Sequence, residues 1–348
     1  MKKERIAKVI EHMKAEGLSQ IIVSDDNALI YLLGAGAWAM ERVGVLLVRD
    51  SGQTDMFINK LMTFAPQEGL TMHYHSDGDD PYADIAQCLN PGAVGIDQYW
   101  FSKHTIALLS KRSDIHAVNG SGPVNLARSC KDAEEAELLR KASLINDQVV
   151  AQAIAWIDPA LTEKQLAQKI EQCFLDHGAN ALGDVQLVCY GAAAAEPHHE
   201  PNSAKLKPGD AVLFDIWASI DHYWCDMTRT VFYKHVSDEH RKVYEIVRKA
   251  QQAGIDFVRP GVKMSDVDAT VRQVIIDAGY GDRFITRTGH GVGLSVHEAP
   301  EASVSSTAIA QPGMVFSIEP GIYLEGDVGV RIEDLVMVTE DGCEVLNK

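Results

Sequence analysis

Two aspartates stand where apolar side chains are expected. Residues 211–232 form two runs rich in apolar, β-branched and aromatic residues, joined by the polar break Ser219-Ile220-Asp221-His222, which is a hairpin pattern. Folding about that break is expected to set Phe214 opposite Met227 and Asp215 opposite Asp226. Like charges facing each other across an antiparallel pair are destabilising. A bound cation would remove the conflict, because buried charges are normally paired or coordinate metals. The other reading is a slipped register, or one aspartate at a strand end in water.

Further unusual residues follow. The segment 288–300 sets His290 and His297 among three glycines and a proline, and glycines of that density let backbone approach something closely. Glu319 closes the apolar run that begins at Met314, and Glu333 lies between Ile332 and Leu335 in a run read as a strand. A glutamate inside such a strand is costly unless paired or bound. Asp215, Asp226, His290, Glu319 and Glu333 thus offer four carboxylates and one imidazole. Four negative charges match two divalent cations, and a sulfur-free, oxygen-rich set favours Mn²⁺, Co²⁺, Fe²⁺ or Zn²⁺. Two such ions a few ångströms apart suit hydrolysis. The competing reading is that Glu319 and Glu333 form salt bridges with Arg331 or Arg229.

These residues must be carried by a folded framework, and the composition describes one. The 348 residues are 46% hydrophobic and 23% charged, with mean hydropathy -0.09. That length accommodates two domains with buried cores. The formal net charge is -17, and no Lys/Arg run suggests a nucleic-acid partner. No apolar stretch approaches the ~20 residues of a membrane helix. The six cysteines are scattered without a Cys-x-x-Cys pair, as in reduced proteins. The N-terminal residues run into an amphipathic helix pattern without a signal-peptide core. The location expected from these features is the cytoplasm.

Helix and strand patterns alternate from residue 4 to residue 118, so the first third reads as an α/β domain. It carries no phosphate-binding glycine loop: Gly34-Ala-Gly36 lacks the remainder of such a fingerprint. The cluster Gly120-Ser-Gly-Pro123 marks the expected boundary, giving domains 1–122 and 123–348. Beyond it the pattern predicts a long helix over 131–156, with Glu137 and Lys141 as an i,i+4 pair. A second helix is predicted from the capping box at Thr162 to about His177. The charges of both helices read as solvated faces.

In its motifs the chain resembles the creatinase/aminopeptidase P/prolidase group of metallopeptidases. The motifs are Asp215 with Asp226-Met-Thr-Arg-Thr, His290 in Gly-His-Gly-Val-Gly-Leu, His297-Glu-Ala-Pro, Glu319-Pro-Gly and Arg331-Ile-Glu333-Asp. The resemblance covers almost the whole length. It implies a creatinase-like α/β N-terminal domain followed by an α+β pita-bread catalytic domain. It also implies that Asp226 and Glu333 bridge two divalent ions, manganese first and cobalt, zinc or iron as alternatives. Asp215 would complete one ion's shell; His290 and Glu319 would complete the other's. Glu319 is further implied as proton shuttle, and His198 and His297 as histidines on the substrate side. Arg331 reads as support for the metal-bound carboxylates.

The activity implied is cleavage of the Xaa-Pro bond in small peptides with proline second. A prolidase acting on dipeptides is favoured over an aminopeptidase P acting on longer peptides, because the N-terminal domain is short. A homodimer is implied by the resemblance alone. Methionine aminopeptidase shares the ligand set but typically lacks such an N-terminal domain. Creatine hydrolysis on this fold does without the ligands, and a non-catalytic pita-bread binding protein is expected to have lost some of them. Three departures bear on the substrate pocket: Trp217 where a glycine is common, alanines at 192–195 where a polar residue is frequent, and Cys225 where serine is frequent. Trp217 is expected on the Asp215 face, narrowing the pocket.

Overall fold

The alternating pattern of the first third builds a six-stranded mixed sheet with helices. The computed structural model describes residues 1–348, which divide into two units, Met1–Arg128 and Ser129–Lys348. The first unit runs α1 (Lys3–Ala15), β1 (Gln20–Val23), α2 (Asp26–Leu33), β2 (Gly44–Arg49), β3 (Thr54–Asn59) and β4 (Leu70–His75). It continues with α3 (Pro81–Cys88), β5 (Gly92–Ile96), α4 (Ser102–Leu109), β6 (Ile115–Asn119) and α5 (Ser121–Ser129). Strand order is β4-β3-β2-β1-β5-β6, with β1–β2 and β2–β3 antiparallel and the other pairs parallel. The sequence pattern does not announce β4, since this edge strand is half exposed and lacks an apolar run. The expected junction at 122–123 falls inside α5. Its glycines serve close approach: a Cβ on Gly120 would stand 2.5 Å from the carbonyl carbon of Gly95.

The second unit begins with α6 (Ala133–Ala155) and α7 (Glu163–Asp176), each opened by a capping box, from Asp132 and Thr162 respectively. Then come β7 (Ala181–Leu182), β8 (Leu187–Tyr190), β9 (Ala211–Ile220) and β10 (Tyr223–Phe232). Helices α8 (Asp238–Phe257) and α9 (Met264–Asp277) precede β11 (Gly289–Gly291), β12 (Glu298–Ala302), β13 (Val315–Ile318), β14 (Gly321–Leu324), β15 (Val328–Arg331), β16 (Asp334–Val338) and β17 (Cys343–Val345). The central hairpin β9–β10 is flanked along β9 by β7 and β8. A five-stranded sheet, β12-β11-β13-β16-β17, and the pair β14–β15 complete the unit.

Strand alternation explains how the hairpin carries charge. Val212, Phe214, Ile216, Ala218 and Ile220 enter one core with Cys225, Met227 and α6/α7 residues such as Val149, Ile170 and Phe174. On the opposite face Ala211 and Leu213 join a second core with Val247 and Val271 of α8/α9. A period of two then places Asp215 and Trp217 on that second face, together with Asp226 and Thr228.

The hairpin register differs from the expected one. Tyr223 pairs with Ile220, so Asp215 faces Thr228 and Asp226 faces Trp217. The turn consists of two residues, Asp221 and His222, both at positive φ, the backbone of a tight hairpin that matches strand twist. The shift is by two residues, so every side chain keeps its face. The aspartates are diagonal neighbours, not directly opposed.

Several charges read as solvated are buried. Lys131, Glu135 and Glu163 are 8%, 2% and 0% exposed. Glu163 accepts from the Tyr190 and Asn202 amides and from His199 Nε2, while Glu135 accepts from the Tyr223 hydroxyl. Burial is tolerated because each carboxylate is hydrogen-bonded. Glu137 pairs with Arg140, and Lys141 with Asp221, instead of with each other.

Candidate metal centre

Four elements aim the five candidate ligands into one cleft of about 430 Å³, whose lining includes Asp215, Asp226, His290, Glu319 and Glu333. Asp215 and Asp226 come from the hairpin face just described, and His290 from β11. Glu319 follows the end of β13. Glu333 is not inside a strand as the run 328–338 suggested. It occupies the two-residue break between β15 and β16, which belong to different sheets. Its amide donates to the Thr228 carbonyl (3.1 Å), which ties that break to the hairpin. The β11 backbone lies so close to β13 that a Cβ on Gly289 would stand 1.8 Å from the Ser317 carbonyl oxygen. That closeness brings His290 to within 3.3 Å of Glu319.

Ligand-type atoms of Asp226, His290 and Glu333 all lie within 4.8 Å of one another. His290 Nε2 stands 3.3 Å from Glu319 Oε1 and 3.6 Å from Asp226 Oδ2. Its Nδ1 faces the Gly291 carbonyl at 3.2 Å. A proton on Nδ1 leaves the Nε2 lone pair aimed at the carboxylates, the tautomer a metal requires. Burial, with help from His297 and Arg287, drives His290 down to about 3, so the ring is neutral.

The carboxylates remain in electrostatic conflict. Burial and then the neighbouring Asp215 raise Asp226 well above the usual carboxylate range. Burial and then Asp226 do the same for Glu333, and burial chiefly raises Glu319 to about 7. The expected competitors for these charges are engaged elsewhere. Arg331 donates to Asp215 (2.6 Å), the Tyr323 hydroxyl (2.8 Å) and Thr228 Oγ1 (3.0 Å). Arg229 donates to Asp334 and to the backbone oxygen of Glu333. No arginine is hydrogen-bonded to the Glu319 or Glu333 side chain, and Asp226 Oδ1 and Glu333 Oε1 are buried without a hydrogen-bond partner. Leaving such atoms bare is expensive. This donor set fits divalent cations.

Supporting side chains surround the ligands. Thr228 Oγ1 accepts from Arg331 and donates to Glu333 Oε2 at 2.8 Å. Ser317 Oγ accepts from the His290 amide (3.0 Å) and donates to Glu319 Oε1 (3.1 Å). The glycine-rich loop folds round Glu298, which is paired with buried Lys131 at 2.5 Å. Sequence reasoning missed Thr228, Tyr323 and the Lys131–Glu298 pair. Only Thr228 carried a readable signal, since it shares strand parity with Asp226.

His198 and His297 are exposed on the cleft wall. The His297 ring meets that of His290 edge-on, with centroids 4.1 Å apart. Partial burial, then Arg287, holds it below the usual imidazole range. The sequence neighbour of His198, His199, is structural, bonded to Glu163. Trp217 lines the cleft opposite Asp226 with its indole over Gly183, where a Cβ would stand 1.9 Å from Nε1. Its main chain is clamped by Gln186, which accepts from the Trp217 amide (3.1 Å) and donates to its carbonyl (2.9 Å). A second group of ligand-type residues, Asp55, His73 and Cys88, lies in the first unit. There the Asp55 charge is already met by Arg49 at 2.5 Å.

Comparison with known proteins agrees with this geometry. Residues 137–340 match metallopeptidase family M24, and residues 5–130 match the creatinase/prolidase N-terminal domain. The chain belongs to family M24 and is a metallopeptidase with a creatinase-type N-terminal domain and a pita-bread catalytic domain. It is 31% identical to an uncharacterized peptidase of Staphylococcus aureus, over 98% of both chains. Among solved structures it is similar to a prolidase from Thermococcus sibiricus, with 32% identity, TM-score 0.91, and coverage of 100% of this chain and 97% of that one. It is similar also to the dipeptidase PepE from Mycobacterium ulcerans, with 34% identity, TM-score 0.93, and coverage of 99% and 95%.

Proposed function

We propose that the protein is an Xaa-Pro dipeptidase that works with two divalent ions, manganese first among them. The observation that carries this reading is the convergence of four carboxylates and a neutral histidine with two buried oxygens, Asp226 Oδ1 and Glu333 Oε1, left without partners. Asp226 and Glu333 would bridge the ions, Asp215 completing one shell and His290 with Glu319 the other. The likeness to a prolidase and a dipeptidase supports dipeptides as substrates over the longer peptides of an aminopeptidase P.

When bound, the ions supply Lewis-acid polarisation of the scissile carbonyl and acidify the attacking water. The chain's own residues do the remainder. The Xaa-Pro bond is a tertiary amide with no N–H for the site to recognise, and, as in any amide hydrolysis, the leaving nitrogen must acquire a proton to depart as an amine. Glu319 would accept a proton from water and return it to that nitrogen. His297, neutral at pH 7, and His198 are placed to donate hydrogen bonds to the carbonyl oxygen as it gains charge. Thr228, Ser317 and Arg331 hold the carboxylates in place.

Turnover of Ala-Pro compared with Ala-Pro-Ala, in Mn²⁺, Co²⁺ and Zn²⁺, tests the proposal. Faster dipeptide hydrolysis, greatest in Mn²⁺, is expected; faster tripeptide hydrolysis would make the protein an aminopeptidase P. A homodimer in the cytoplasm completes the reading. The six cysteines, all free, support a reducing compartment, and sedimentation would show the dimer.

A further inference from the structure

We infer that Glu163 is a positioning residue for catalysis: through His199 it aims His198 into the metal cleft. The inference rests on the Xaa-Pro reading of the same site, with His198 donating to the substrate carbonyl. Pro197 and His198 line that cleft, and His198 is close enough to His297 to bear on its protonation. Yet the His198 ring has no hydrogen bond or ion pair of its own. Its direction must come from the backbone that carries it.

That backbone is a strap, residues 190–204, running from the end of β8 towards β9. It winds as a short 3-10 helix over Gly191–Ala195 and then as a tight turn, in which the His199 amide donates to the Glu196 carbonyl at 3.1 Å. Ahead of His198 the Ala194 carbonyl lies against β15, where a Cβ on Gly329 would stand 1.7 Å from its oxygen. The remaining anchors gather on one carboxylate. Glu163, the first residue of α7, is fully buried. It accepts from the Tyr190 amide (2.7 Å), the Asn202 amide (3.0 Å) and His199 Nε2 (3.0 Å). Both ends of the strap and its middle therefore converge on a single side chain. The free amides of the first helical turn add to the grip, since Glu163 and Lys164 donate to the Ala204 and Asn202 carbonyls.

A carboxylate can only accept, so His199 Nε2 must carry a proton. Glu196 stands 3.4 Å from its Nδ1. Partial burial alone would lower this imidazole, but the Glu163 and Glu196 carboxylates outweigh it and hold His199 above the usual range. Charge-assisted bonds of this kind are the strong ones, and an exposed loop without them is mobile. Misplacing a catalytic group by about 1 Å can cost about 100-fold in rate. His199 passes the fixed position of Glu163 to the neighbouring His198.

The test is kinetic, on the Mn²⁺-loaded enzyme with Ala-Pro. Glu163→Gln puts an amide N–H₂ group where backbone or histidine donors point. It should lower kcat about tenfold to a hundredfold, with KM and the ions bound per chain unchanged. In a His198→Ala background the same substitution should change kcat by less than about twofold, because its effect is transmitted through that ring. His199→Leu should reproduce the loss. His199→Gln, whose amide nitrogen reaches the place of Nε2, should recover most of it. An undiminished effect of Glu163→Gln in the His198→Ala background, a loss of ions, or an unaltered kcat overturns the proposal. If Glu163→Gln does not fold, His199→Leu against His199→Gln decides: equal losses overturn it. A wild type that cleaves Ala-Pro no faster than His198→Ala removes this inference alone and leaves the Xaa-Pro reading standing. A wild type that leaves Ala-Pro intact removes both.

Discussion

Asp226 stands within ligand distance of His290 and Glu333 and pairs across the hairpin with Trp217. Asp226→Ala should abolish metal uptake and lower kcat/KM by about a thousandfold or more, because ions in such sites supply several kcal/mol of transition-state stabilisation. Elemental analysis beside kinetics checks this, and a variant retaining two ions per chain would refute the bridging role. Thr228→Val removes only the hydroxyl that passes a hydrogen bond from Arg331 to Glu333. It should weaken metal affinity by about 10- to 100-fold, the usual cost of losing a side chain that orients a ligand. Titration with Mn²⁺ would measure it, and unaltered affinity would show that Glu333 is held by its backbone alone.

At the scale of elements, β9 has a gap where β7 has ended and β8 has not begun, and the Gln186 side chain fills it, accepting from the Trp217 amide and sharing the Trp217 carbonyl with the Gly183 amide. Gln186→Leu should cost about 1–3 kcal/mol for the Trp217 amide it leaves bare, since the carbonyl keeps the Gly183 amide, and the loss is seen as a lower denaturation midpoint. It should also loosen the indole wall, so that dipeptides with bulky first residues gain relative to Ala-Pro; unchanged selectivity would mean that Gly183 alone seats the indole. How much of this could be read in advance varies by element. Asp215, Asp226, Glu319 and Glu333 stood out because carboxylates interrupt or close apolar runs, His290 stood out among its glycines, and strand parity gave the face shared by Asp215 and Trp217. The register could not be read, because the turn uses Asp221 and His222 at positive φ without the glycine that normally signals it. Nor could the burial of Lys131 and Glu163, whose partners lie far along the chain.

For the molecule as a whole, the centre opposes the fold that contains it. Glu319 is raised from 4.5 to about 7 in the folded protein. This carboxyl taken alone costs the ion-free fold nothing below about pH 4.5 and destabilises it as pH climbs towards about 7 and it must ionise. His290, held down to about 3, acts in the opposite sense as pH falls below 6.5. Divalent ions bind the ionised form, so their stabilising effect should grow over the same interval. Melting temperatures with Mn²⁺ and with chelator should diverge steadily across that range, and a constant difference would contradict this account.

The break that delivers Glu333 has a consequence for the order of events in folding. Its contacts reach back 105 residues to Thr228, and those of neighbouring Arg331 reach 116 residues to Asp215. Contacts of such separation carry a large loop-closure cost and form late. The hairpin can assemble locally, but the ligand shell closes only after three sheets have docked. Tight ion uptake should thus be among the last steps of refolding, and its time course would report completion of the native topology.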